Sequence, residues 1–181
     1  MPTRAAAVRI LAGHPEVTYA EGYPSAFVVQ LLGMLAHYPP DLPPGDGGLG
    51  PWIAFRRADN AVVGAVSCAL VHEGPVCSSS VTEGFESASG NPGWACAVTV
   101  GYDVAPACEG RGYATEMVRL VCAHLLAQPG IARVCADTEV GHTASRRVME
   151  KAGLTWRRDE THVRDGVATV IVHYARDGAE A

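Results

Sequence analysis

Lysine is nearly absent from this chain. Of its 14 basic residues only Lys151 is lysine, and it sits in Glu150-Lys151-Ala152. A phosphate loop of the Gly-Lys-Ser/Thr type is therefore excluded. The six cysteines, Cys68, Cys77, Cys96, Cys108, Cys122 and Cys135, form no C-x-x-C pair, which excludes a zinc ribbon or a thioredoxin-like motif. No apolar run reaches the roughly 18 residues of a membrane span. The opening "MPTRAAAVRILAG" lacks the long apolar core of a secretory signal. There is no basic block, and the net charge of −5 disfavours nucleic acid and acidic membranes as partners. A cytoplasmic protein with free thiols is expected.

What is present is a globular composition, 48% hydrophobic and 18% charged, with no linker to divide it. One domain over residues 1–181 is expected. In the first half "RAAAVRILAG" has strand character, and "PSAFVVQLLGMLAHY" has helical length, opened by Pro24 or Ser25 and stopped by Pro39-Pro40. Residues 39–51 are too rich in Pro and Gly for regular structure, and residues 73–93 read as a small, polar loop. Between them, two β-rich runs flank Ala58-Asp59-Asn60, a hairpin signal.

The second half is better marked. "WACAVTVGYDV" reads as a strand. Ala114, Met117, Val118, Val121, Cys122, Leu125 and Leu126 then form one apolar helical face, stopped at Gln128-Pro129-Gly130. "IARVCADTEV" is a strand and "HTASRRVMEKAG" a short helix. Two strands joined through Arg164-Asp165-Gly166 follow. The order β-α-β-α-β-β predicts a mixed α/β domain.

The chemistry centres on "PACEGRGYATEM", where two glycines flank Arg111 at the mouth of the amphipathic helix. A helix N-terminus exposes unpaired N–H groups and partial positive charge, and glycines beside it let a phosphate approach the backbone. The dinucleotide fingerprint G-x-G-x-x-G/A fails: after Gly110 and Gly112 the sixth position is Thr115, and the unit lies too late in the chain. The coenzyme A loop Q/R-x-x-G-x-G/A fits Glu109-Gly110-Arg111-Gly112-Tyr113-Ala114 in all but its first residue.

With that loop the chain resembles the GNAT superfamily of acyl-CoA-dependent N-acetyltransferases. "VGYDVAPACEGRGYATEMVRLVCAHL" is similar to that family's fourth strand, pyrophosphate loop and third helix. "VCADTEVGHTASRRVMEKAGL" is similar to its fifth strand and fourth helix, with the pattern N-x-x-S-x-x-V-x-E-K-x-G-F nearly intact. The branch it resembles in particular contains the ribosomal-protein N-terminal acetyltransferases. The likeness is strong over about residues 95 to 156, and earlier it follows only the order of elements.

The resemblance implies an α/β fold whose mixed sheet of about six to seven strands is splayed between strands 4 and 5 and flanked by about four helices. It implies acetyl-CoA as co-substrate and no metal. Tyr102, Asp103 and Val104 would pair with the pantetheine arm, with an amide near Val104 on the thioester carbonyl. Glu109, Gly110, Arg111, Gly112, Tyr113, Ala114 and Thr115 would hold the pyrophosphate. Four positions depart from the pattern. Glu109 replaces Gln or Arg, and Thr99 replaces a frequent glutamate base. His142 replaces the asparagine that starts the fourth helix, and Met149 replaces a frequent tyrosine acid. Ser145 remains as the candidate proton donor to the leaving thiolate. His142 is a candidate base, and both also flank the cofactor. Asp137 and Glu139 end the fifth strand and are weaker candidates. Tyr23, Tyr38, Thr99 and Glu139 are expected to line the acceptor pocket. His124 and His173 read as structural.

The expected activity is transfer of an acetyl group from acetyl-CoA to a primary amine, on a small molecule or a protein N-terminus, by direct attack. The alternative is a GNAT-fold CoA- or ligand-binding protein without transfer, or one turned to another reaction. A monomer fits, as does a homodimer formed by edge pairing of the Val167–Tyr174 strand.

Overall fold

The computed structural model describes residues 18–26, 28–30, 52–71 and 96–178. The expected strand in residues 4–13, the two polar loops and Tyr38 lie outside the described residues. The helix expected from Pro24 or Ser25 begins at Ala26, with the Ser25 hydroxyl accepting the Val28 N–H at 3.2 Å, as an N-cap does.

Among the described residues six strands form one sheet: β1 (Trp52–Arg56), β2 (Ala61–Val71), β3 (Cys96–Val104), β4 (Ile131–Glu139), β5 (Thr155–Arg164) and β6 (Val167–Asp177). The spatial order is β1-β2-β3-β4-β6-β5. Only β3 and β4 run parallel, and the other neighbours are antiparallel. Both predicted hairpins form, with Asn60 at φ 56° in the first turn and Asp165 and Gly166 at φ 52° and 77° in the second. Parallel pairing needs a crossover, and α1 (Tyr113–Leu126) supplies it. A second helix, α2 (Thr143–Lys151), links β4 to β5. With the 3₁₀ turn Pro106–Cys108, three helical segments have both ends among the described residues, against about four expected.

The apolar face of α1 behaves as its spacing predicts. Val118, Val121, Cys122 and Leu125 are buried, and they meet Val98, Val100, Val134, Ala136, Met149, Leu154, Val172 and Tyr174 in one core between helices and sheet. Met149, silent as an acid, is fully enclosed there. Gly64 lets α1 approach β2: a Cβ on it would stand 2.8 Å from the Met117 Cε and 2.6 Å from the Asp103 carbonyl. That contact fixes where β3 and the start of α1 sit.

One expectation is corrected. The Val167–Tyr174 strand lies within β6, between β4 and β5, so from Val170 onward both of its sides are taken. The outermost strand is β5, which carries Arg157, Arg158, Asp159 and Glu160. Charge of that kind protects an edge against pairing.

Candidate active site

The ladder between β3 and β4 stops early. It pairs Cys96 with Ile131, Ala97 with Arg133, Val98 with Val134 and Thr99 with Cys135, and nothing beyond. From there β3 continues to Val104 on β2, and β4 continues to Glu139 on β6. The two strands part into an open V. The family's fourth and fifth strands are β3 and β4 here, so the splay lies where the resemblance places it.

Strand alternation decides which amides face the V. The Ala105 N–H donates to the Val63 carbonyl at 2.8 Å, and the Gly101 carbonyl accepts from Ser67 Oγ at 3.4 Å, both toward β2. The intervening residues Tyr102 and Val104 therefore turn their N–H and C=O groups toward the V, while the Val100 N–H closes the last rung on the Cys135 carbonyl. Tyr102 and Val104 thus present main chain to it, whereas the Asp103 main chain is directed at β2.

The wide end of the V leads to the glycine loop. Gly110 and Gly112 sit at φ 69° and 86°, where other residues are strained, and a Cβ on either would meet nothing within 4 Å. The space above the loop is open. Gly112 is the N-cap of α1 and supplies no side chain, and the first helical bond is Glu116 N–H to the Gly112 carbonyl at 3.0 Å. Among the described residues, no acceptor meets the N–H groups of Gly110, Arg111, Gly112, Tyr113, Ala114 or Thr115. Orphan amides at a helix N-terminus make an anion site. Glu109 and Arg111 are both exposed, and the Glu109 N–H is occupied by the Pro106 carbonyl at 3.3 Å.

The two faces of the V differ. On the helix side the Tyr102 hydroxyl lies 2.8 Å from Ser145 Oγ and donates to the Ser145 carbonyl at 3.0 Å. This pair ties β3 to α2. Burial raises the Tyr102 pKa, opposed by the Ser145 hydrogen bond, so the phenol stays protonated at neutral pH. The sequence gives Ser145 no partner, and only long-range pairing reveals it.

On the opposite face lie the odd-numbered residues Thr99, Gly101 and Asp103 of β3 and Cys135, Asp137 and Glu139 of β4. The Asp103 carboxylate accepts from the Tyr23 hydroxyl at 3.1 Å and from Ser25 Oγ. It anchors the start of the first helix to the sheet beside the V. Across from it Asp137 is half-buried and Glu139 exposed. His142 is exposed at the start of α2, and its N–H donates to the Glu139 carbonyl at 2.9 Å. Thus Tyr23, Thr99 and Glu139 are gathered on or beside one face, while Ser145 lies on the other.

Burial raises the Asp103 pKa more than its hydrogen bonds lower it. Such a shift contributes stability below the unfolded value of about 4, which is lost as pH rises through the raised folded-state value. Asp103→Asn has no proton to lose there. Its melting temperature relative to wild type should rise between about pH 4 and neutrality. A difference that stays flat with pH would contradict a raised Asp103.

The chain belongs to the GNAT acetyltransferase family: the family model for the acetyltransferase (GNAT) domain matches residues 5–155. No curated protein matches its sequence. Among solved structures, a GNAT-family acetyltransferase of Streptococcus pneumoniae superposes with a TM-score of 0.60 at 10% identity, over 98% of this chain and 96% of that one. The acetyltransferase yncA of Salmonella typhimurium, solved with acetyl-CoA, gives 0.59 at 15% identity over 98% and 91%. A GNAT-family acetyltransferase of Bacillus anthracis gives 0.51 at 19% identity, over 70% of this chain and 64% of that one. At these identities the likeness establishes the fold. No helix among the described residues is long and apolar enough to cross a membrane.

Proposed function

We propose that the protein transfers an acetyl group from acetyl-CoA to a primary amine by direct attack. The observation that carries this reading is the V between β3 and β4, whose wide end leads to a loop of unpartnered amides. The pyrophosphate would sit on the amides of Gly110 to Thr115, and the pantetheine would pair with Tyr102 and Val104 as an added strand. An amide near Val104, past the last rung between β3 and β4, would polarise the thioester carbonyl as it becomes an oxyanion.

The amine would enter from the face opposite α1 and α2. Gly101 has no side chain there and leaves room beside Asp137. That face carries Asp103, Asp137 and Glu139, which suits a cationic amine. Asp137 would take the ammonium proton, and the neutral nitrogen would attack the thioester carbon. His142, beyond Glu139, would be a second relay to solvent. As the C–S bond breaks, the nitrogen would lose its second proton to water, and Ser145, held by Tyr102, would protonate the thiolate and regain its proton from solvent. The acceptor is a small amine or a protein N-terminus, the latter in keeping with the ribosomal-protein acetyltransferase branch. The cell compartment consistent with free thiols is the cytoplasm.

The test is release of free thiol from acetyl-CoA across a panel of amines, peptide N-termini included. Amine-dependent release supports transfer, whereas binding of acetyl-CoA without release on any amine removes it. Ser145→Ala should lower kcat about tenfold with KM unchanged, because a thiol of pKa about 8.5 leaves fairly well unaided. An unchanged kcat would remove Ser145 as the acid.

A further inference from the structure

Away from the V, three side chains of the last hairpin converge. Glu160 and His162 are alternate residues of β5 and share a face. His173 of β6 pairs with Arg158, which shares that face too, so the three side chains meet across the hairpin. His162 Nε2 lies 3.3 Å from Glu160 Oε1, and His173 Nε2 lies 3.3 Å from Glu160 Oε2. One ligand atom from each of the three lies within 4.8 Å of the other two.

Neither imidazole contact is a hydrogen bond. Both Nε2 atoms are buried and have no hydrogen-bond partner. His173 is only 8% exposed, so water does not compensate it. A buried ring nitrogen without a hydrogen bond is costly, and two beside one carboxylate call for a reason. In a tetrahedral zinc site, with bonds of about 2.0–2.1 Å, neighbouring ligand atoms stand about 3.3–3.5 Å apart. The two nitrogen–oxygen separations, one to each carboxylate oxygen, are near that edge, and a single ligand atom from each residue stays within 4.8 Å of the others.

We propose that Glu160, His162 and His173 form a binding site for a divalent transition-metal cation of the zinc class. Two imidazoles and a carboxylate suit such a metal rather than magnesium or calcium. Three protein ligands leave a fourth position open, and the part-exposed His162 and Glu160 give the ion a way in. The Arg158 guanidinium stands 3.0 Å from Glu160 Oε2. An ionised carboxylate has about four lone-pair sites, so it can serve both the arginine and the cation. The metal would clip β5 to β6. His173 also pairs with Asp137, so the site lies on the face of the sheet where the acceptor is proposed to enter. The metal proposal stands whether or not the protein transfers an acetyl group.

The test uses the full chain, freed of metal with a chelator and kept reduced. Titration with Zn²⁺ at mildly alkaline pH should give one tightly bound ion per chain and a higher melting temperature. Co²⁺ in its place should show d–d bands of a nitrogen and oxygen site without thiolate charge transfer, which separates this site from the six cysteines. His162→Gln and Glu160→Gln alter part-exposed side chains. Each should weaken Zn²⁺ binding by more than about tenfold, the least that losing even an outer-sphere partner costs. The proposal is overturned if the wild type binds no stoichiometric Zn²⁺, if bound Co²⁺ shows thiolate charge transfer, or if both variants bind as wild type does.

Discussion

Gly112→Val is expected to raise the KM for acetyl-CoA about a hundredfold. Gly112 holds φ 86° at the N-cap of α1, a conformation in which a β-branched residue is a true outlier. A left-handed residue costs roughly 1–2 kcal/mol, which the fold can absorb or relieve by turning the loop. Either response moves the amides of Gly112 to Thr115 off the pyrophosphate. Hydrogen bonds to a charged group contribute about 1.5–3 kcal/mol each, so losing two weakens binding by at least about 3 kcal/mol, or a hundredfold. The Cβ itself meets no protein atom within 4 Å, so the core should survive. Steady-state kinetics with acetyl-CoA varied, beside a melting curve, gives the answer. A variant with unchanged KM would mean the loop does not hold the phosphates.

Asp137→Asn is expected to lower kcat by about 10² to 10⁴, the usual contribution of a positioned base, with little change in the KM for acetyl-CoA. Asp137 stands two residues past Cys135, the last residue of β4 that pairs with β3. It is the first carboxylate on the open face along that wall, and the matching place on the β3 wall is Gly101. Asparagine keeps the shape and removes the basicity. If Asp137→Asn keeps wild-type kcat, the proton leaves by another route.

The loop and α1 were legible in the sequence because their signals are local. Two glycines, a helix start and one apolar face fall within about twenty residues of one another. The β-α-β-α-β-β order was legible for the same reason. Pairing across the sheet was not. Nothing local says that β6 inserts between β4 and β5, so the edge-strand expectation failed. The Tyr102–Ser145 hydrogen bond spans 43 positions and the Tyr23–Asp103 bond spans 80. Both arise only once β3 lies between α2 on one face and the first helix on the other. Asp103 illustrates the limit best. Sequence likeness makes it a main-chain contact for pantetheine, while strand alternation turns its main chain to β2 and gives its carboxylate to Tyr23 and Ser25. His173 reads as structural until the hairpin register sets it against Glu160.

The central claim is that coenzyme A fills the V between β3 and β4. Residue-resolved amide hydrogen exchange with and without acetyl-CoA tests it most directly. The account predicts new protection at Tyr102 and Val104 and along Gly110 to Thr115, with little change at Gly101 and Asp103, whose main chains already face β2. Acetyl-CoA that binds while leaving the first two groups unprotected would contradict it.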